Sequence, residues 1–522
     1  MRGILGILGS IVVFGAVVCF PGESAAYEVL LDSSLMGQGY QLRAADGRVL
    51  NRRRVDVYLR LYVYDILPEP DESKRRGKPY PQMYFVSAVR LDADLGSFAG
   101  ADGQDLASID EEMLSRPAFQ LLFGYLGVTD LAGGWLNLKA GRQFRWDAMD
   151  AYQFDGLTME LVTPWYVGVE VFGGSRVNGV LPIDSPIMLM DGVSPTESPV
   201  RWAPAFGTAL FSRNLSNFFF RFAYRHTLSV LEDKEDFSAS FVRPDESVSS
   251  SPQRVATAEE MLTAWASGTF FSNRLYTYGG AAYSVMHTRL TRALAGVRLR
   301  LGGSDRVKGV KGDRGGRSVS KRVHTIGVEY ERHEPTFDGD SIFNIFNFQP
   351  FTEARILYEL DLAGRWSGYV RGSFRFFQGG LEDAEDPRER ESLSWRNPGG
   401  GLGVRYLGRR FFARGDWYWQ EGYGGRTLGF DFLGRYVLPV HGLSFEGRAT
   451  VAHWSDDLSP QLRGVTAGVA AGATWNFHKR VAVHLFAENN FGEFYKSDLR
   501  IFTMLRLTWC TSGRHCPAGV DS

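Results

Sequence analysis

The chain has 522 residues, with 58 Lys and Arg against 59 Asp and Glu, a formal net charge of -1, and 14% aromatic residues. A charge balance this close to zero gives no argument for a nucleic-acid partner. With 3 cysteines the chain cannot be a disulfide-built scaffold, and after the first residues no run of about 18 apolar residues is present to form a spanning helix.

The amino end reads as a secretory signal, residues 1–26: basic Arg2, an apolar run from Ile4 to Val18, and small residues Ser24-Ala25-Ala26 at the cleavage site. Residues 27–51 carry an Asp46-Gly47 turn signal between weakly apolar segments, which suits a lead-in, a short plug or an extra hairpin. From Val55 the pattern becomes a strand, with Val55, Val57, Leu59, Leu61 and Val63 on one face and Asp56, Tyr58, Arg60, Tyr62 and Tyr64 on the other. A second strand is expected over Gln82 to Asp94.

Residues 95–134 break the alternation, and Ile109 to Leu122 reads as partly helical, with Asp110, Glu111 and Glu112 in a first turn. Strands counted back from the carboxyl end place this insertion on the periplasmic side. From Trp135 the alternation resumes and repeats to Leu301, interrupted by loops rich in Ser, Pro and Asp. Residues 302–321 form a basic Gly-rich loop, with Arg306, Lys308, Lys311, Arg314, Arg317 and Lys321; it reads as a linker or as a mobile basic loop that attracts anions to a pore. No Gly-Lys-Ser/Thr follows, so it is not a phosphate-binding loop.

The densest pattern, Gly399 to Trp509, reads as six consecutive strands of about ten residues. Leu402, Val404 and Tyr406 alternate with Arg405, and Phe411, Trp417 and Trp419 alternate with Phe412, Arg414 and Asp416. Short turns and longer polar loops alternate along the chain. Together these features predict an all-β, transmembrane antiparallel up-and-down barrel over residues 52–509, with about 18 to 20 strands, short periplasmic turns and long extracellular loops. The tail, 510–522, holds Cys510 and Cys516, which suit a small terminal disulfide.

If the apolar face meets lipid, parity puts the charged face inside. Arg371, Arg375, Glu359 and Asp361 are then the densest pore-lining group, followed by Arg405, Arg414, Asp416, Asp431, Arg435 and Arg448. Acidic and basic residues on this face balance, so two uses compete: ion-pair ladders that stiffen the wall, and a constriction that sorts solutes by charge. Tyr58, Tyr369 and Tyr418 share the parity and offer either stacking faces for sugars or filler. No catalytic constellation, metal-ligand spacing or cofactor motif stands out among the 9 histidines.

Signal, meander and loop alternation resemble the outer-membrane porins of Gram-negative bacteria over nearly the whole mature chain. Lys139-Ala140-Gly141-Arg142-Gln143, followed by Phe154-Asp155-Gly156, looks like the Gly-Arg-Gln region of alginate-export barrels. The resemblance implies a channel in the outer membrane for small polar solutes, saccharides among them. It also implies outer-membrane lipids and the barrel-assembly machinery as partners. A polysaccharide-export pore and an outer-membrane hydrolase are the alternatives.

Overall fold

The computed structural model describes residues 27–511 except 46, 48, 68–78, 96–117, 148–149, 178–203, 214, 232–253, 303–321, 335–349, 363–364, 378–395, 423–424, 440–441, 457–462 and 494. The expected signal peptide, the basic Gly-rich loop and Cys516 therefore lie outside the described residues.

The described chain is one sheet of 22 strands. In chain order they are β1 (Glu28–Ala44), β2 (Val49–Tyr64), β3 (Gln82–Asp94), β4 (Ala118–Asp130), β5 (Leu136–Asp147), β6 (Asp150–Val162), β7 (Val167–Arg176) and β8 (Pro204–Ser212). Then come β9 (Phe218–Leu231), β10 (Arg254–Phe270), β11 (Leu275–Ser284), β12 (Arg289–Gly302), β13 (Val323–His333), β14 (Phe351–Leu362) and β15 (Trp366–Phe377). The last seven are β16 (Arg396–Leu407), β17 (Phe411–Gly422), β18 (Gly425–Val437), β19 (Leu443–Asp456), β20 (Arg463–His478), β21 (Val481–Phe491) and β22 (Tyr495–Cys510).

Every strand pairs antiparallel with the next, and β1 pairs with β22 from Leu30↔Cys510 to Ala44↔Tyr495. That last pairing closes the sheet, so no edge is left with unpaired backbone groups. Outside the barrel wall the described residues add only turns and the one-turn segment Leu131–Gly134.

The strand count exceeds the expected 18 to 20, and each added strand has a local reason. The 27–51 segment is neither plug nor lead-in; it forms the extra hairpin, β1 with the start of β2. Ser33, Gly37 and Gly39 on β1 stand opposite Leu507, Thr503 and Ile501 of β22, so its outer face is too small and polar to show an apolar period. Of Ile109 to Leu122, expected to be partly helical, residues 109–117 lie outside the described residues and 118–122 are strand, the start of β4.

A β-bulge between Ala88 and Val89, opposite Leu121 and Phe123, hides the period of β4. Phe119 and Leu121 point outward before the bulge, and Leu126 and Val128 after it, so the alternation changes phase midway. The segment 396–510 holds seven strands where six were expected, because β20 carries Gly and Ala on both faces and shows no charge alternation.

Adding β4 also moves the insertion to the other end of the barrel. β1 starts and β22 finishes at one end, and with 22 strands in strict meander the β3–β4 connection falls at the opposite end, together with the long connections β7–β8, β9–β10, β13–β14 and β15–β16. The tight turns at 131–135, 163–166, 271–274, 408–410 and 479–480 gather at the end that holds the termini. β12 and β13 meet at that end too, through Gly302↔Val323.

The seam between β4 and β5 is the shortest in the wall, pairing only Gly124–Val128 with Leu138–Arg142. Gly141 holds φ +126 there, and a Cβ on it would sit 2.3 Å from the Gly124 carbonyl oxygen. A side chain is therefore excluded by both conformation and space. Gly141→Val should lower the temperature at which the folded band converts to the unfolded band on gels. Gly173→Ala, at a position with open space, should leave that temperature unchanged.

Candidate functional site

Register decides which residues share a face, because directly paired residues in an antiparallel sheet point the same way. Glu353↔Arg375, Glu359↔Tyr369 and Asp361↔Ser367 join β14 to β15; Arg371↔Gly401 and Ser367↔Arg405 continue into β16. Arg405↔Arg414 and Asp416↔Asp431 carry the face through β17 to β18, and Arg435↔Glu446 reaches β19, where Arg448 has the same parity. Arg371, Arg375, Glu359, Asp361, Arg405, Arg414, Asp416, Asp431, Arg435 and Arg448 thus stand on one continuous face.

The opposite face carries Ile356, Val370, Leu402, Val404, Phe430 and Val451, with between 47% and 58% of each side chain exposed. Such a surface is built for hydrocarbon. The charged face is the concave one, since its side chains reach across intervening strands. Tyr369 on β15 donates to Asp416 on β17 at 2.5 Å, and Arg176 on β7 meets Glu259 on β10 at 3.4 Å.

Most inner-wall charges are spent on each other. The expected grouping of Arg371 and Arg375 with Glu359 and Asp361 is not the one that forms. Register sets Arg375 against Glu353, at 2.8 Å, and Arg355 bridges Glu353 (2.8 Å), Glu329 (2.8 Å) and Glu331 (3.0 Å). Asp361 reaches only Arg405, at 4.0 Å. Arg414 pairs with Asp416 at 2.5 Å and Arg448 with Asp431 at 3.8 Å.

Beyond the expected group, Arg90 bonds Asp56 (2.8 Å) and Asp92 (3.0 Å), and Arg506 bonds Asp32 (3.1 Å) across the closing seam. Arg371 and Arg435 stand apart: among the described residues neither has an ion-pair partner, Arg371 facing Leu357 and Gly401 and Arg435 standing opposite Phe412 and Glu446 in register. The tyrosines are occupied as well. Tyr369 and Tyr418 lie across Gly403 and Gly429 of the neighbouring strands, where no Cβ would fit, and Tyr58 sits 5.5 Å from the Arg90 guanidinium. One side of each of the Tyr369 and Tyr418 rings is thus packed against the wall.

A second inner-wall cluster joins Arg221, Arg225 and Glu170, whose parity in the sequence already puts them on the charged face, to Arg145 and Glu259, which the sequence reading left out. On β5 to β10, Arg225 pairs with Glu259 at 2.5 Å, Arg221 with Glu170 at 2.9 Å, and Arg145 also with Glu170. Buried aromatics back them: the Arg145 guanidinium lies 4.1 Å from the Phe172 ring and that of Arg225 4.3 Å from Tyr152. Tyr152, Phe154 and Phe172 form one core cluster. The signal was obscured because β6 and β10 extend further toward the far end than expected, and a bulge between Thr257 and Glu259 puts Glu259 inside and Glu260 outside.

The Gly-Arg-Gln segment acquires a structural account. Where β4 and β5 diverge above their short seam, side chains replace the missing backbone bonds. Arg142 donates to the Leu121 carbonyl (3.0 Å) and grips Asp155 with two bonds of 2.7 Å. Gln153 donates to the Leu122 carbonyl, and Gln143 to the carbonyls of Gly156 (3.0 Å) and Lys139 (3.1 Å). The Leu121 and Leu122 carbonyls lie beyond the last β4–β5 backbone pair, where a side-chain donor stands in for the strand. Cys510 is disulfide-bonded; Cys516, its expected partner, lies outside the described residues.

Removing Arg355 takes the shared cation from Glu329, Glu331 and Glu353, leaving only Arg292 on Glu331, Arg375 on Glu353 and the Tyr278 hydroxyl on Glu329, whereas removing Arg371 strands no partner. Arg355→Met should cost about 1–3 kcal/mol of barrel stability, and Arg371→Met should cost far less. Urea unfolding of the reconstituted barrel checks the difference.

No family model matches the chain, and no curated protein matches it. Solved structures do. Acinetobacter baumannii OccAB4 is 8% identical with a TM-score of 0.41, covering 94% of this chain and 100% of that one. Pseudomonas aeruginosa OccK9 (OpdG) is 9% identical with a TM-score of 0.42, covering 93% and 98%. A BenF-like porin from Pseudomonas fluorescens Pf-5 is 9% identical with a TM-score of 0.39, covering 92% and 98%.

Proposed function

We propose that this protein is an outer-membrane, porin-like channel for small polar solutes. The observation that supports it is an inner wall of ionised side chains left open to solvent in a barrel too wide for them to fill. A closed sheet of 22 strands, at about 4.8 Å spacing and about 40° tilt, has a backbone diameter on the order of 40 Å. Side chains from opposite walls cannot meet across it. Those on the β16 to β22 arc remain wet even when paired, Arg448 at 59% and Arg506 at 54% exposed.

An enzyme reading draws no support from this wall, since its carboxylates and guanidiniums neutralise each other in place. Sorting by charge then falls to cations outside the ladders, and Arg371 is the clearest. Arg375 stands on the same face of β15 and shares Glu353 with Arg355, so its loss would remove a positive charge while Glu353 stays paired. A saccharide cargo would bind through hydrogen bonds to these ladders and against the free faces of Tyr369 and Tyr418.

Purified protein in a planar bilayer should give discrete single-channel conductance. Arg371→Ala with Arg375→Ala should move the zero-current potential in a salt gradient toward cation preference. An unchanged potential would remove both residues from the solute path, and a silent bilayer would sink the channel.

A further inference from the structure

At the end of the barrel that holds the termini, cations behave differently from those of the inner wall. Arg322, Arg365, Arg409, Arg410, Lys479 and Arg480 stand in the turns or at the strand ends from β12 to β22. All but the half-exposed Arg480 are exposed, and none has an ion-pair partner among the described residues. The turns 363–365, 408–410 and 479–480 contain no Asp or Glu. At the opposite rim Arg289 and Arg332 both close on Glu334, at 3.5 and 3.1 Å, while Arg426, Arg463 and Lys496 there are exposed without an ion-pair partner among the described residues.

Beside these turns the outward face carries an aromatic band. Trp366 and Tyr406 have ring centroids 4.7 Å apart, Tyr406 and Phe411 6.1 Å, and Trp475 and Phe477 5.1 Å. Half-exposed rings that face lipid mark the interfacial level of a spanning protein. Side chains one or two residues beyond them reach the phosphate level. Cations held there without counter-charges are complementary to anionic headgroups.

We propose that this basic arc is a docking collar for anionic phospholipid headgroups, which fixes the depth of the barrel in the leaflet at its termini end. The proposal rests on the membrane-spanning reading above. Each cation adds a salt-sensitive attraction, and an arc spanning several turns gathers a local shell of anionic lipid rather than one bound molecule.

The test uses the full barrel in phosphatidylcholine vesicles containing phosphatidylglycerol, with either lipid brominated to quench the tryptophans, Trp366 and Trp475 in the band among them. Brominated phosphatidylglycerol should quench as though enriched about five-fold at the protein surface at low salt, and the preference should vanish near 1 M salt. Arg365→Gln, Arg409→Gln, Arg410→Gln, Lys479→Gln and Arg480→Gln combined should abolish it, while Arg289→Gln with Arg332→Gln at the other rim should retain it.

Equal quenching by the two lipids in an inserted, heat-modifiable barrel would overturn the collar alone. So would loss of the preference on adding inorganic phosphate at constant ionic strength, which would mark a free-anion site. A chain that never inserts would overturn the membrane reading and the collar with it. Should the combined variant fail to fold, the salt dependence of the unmodified protein decides.

Discussion

A sheet immersed in hydrocarbon has nowhere to place an unpaired backbone group, and the whole architecture follows from that requirement. Closure through β1 and β22 satisfies it globally. Where the ladder is locally incomplete, between β4 and β5, Arg142 and Gln153 supply the donors that the strands do not. Bulges opposite Ala88 and at Thr257 let the wall bend without breaking the pairing on either side.

The same requirement sets the two faces apart. Outward side chains are free to be apolar and unconnected, because lipid asks nothing of them. Inward side chains meet water and each other, and they form ladders that tie non-adjacent strands: Glu329, Glu331 and Glu353 around Arg355, and Glu170 and Glu259 among Arg145, Arg176, Arg221 and Arg225. One arc is packed against aromatic rings and nearly dry, the other solvated. The inner wall is therefore uneven, with paired but exposed cations such as Arg405, Arg448 and Arg506 on the β16 to β22 side.

Alternation in the sequence was enough to reveal the fold class and the faces of most strands, because period two is imposed directly by lipid on one side and water on the other. It failed where that imposition is weak or interrupted. β1 has Ser and Gly outward, β20 has small residues on both sides, and β4 changes phase at a bulge, so each lost its signal and the strand count fell short. Pairing partners were less legible still. Arg375 and Asp361 share a face in the sequence, but only the β14–β15 register shows that Glu353 is the carboxylate across from Arg375.

The account depends most on which side of the wall meets lipid. Single cysteines at Phe412, Arg414, Asp416 and Tyr418, and at Ala413, Gly415, Trp417 and Trp419, would sample both faces of β17 in sealed vesicles. A membrane-impermeant charged thiol reagent should label the first set and spare the second, and a bromolipid quencher should report the reverse. Labelling without alternation, or with the opposite phase, would contradict the assignment of the charged face to a water-filled interior.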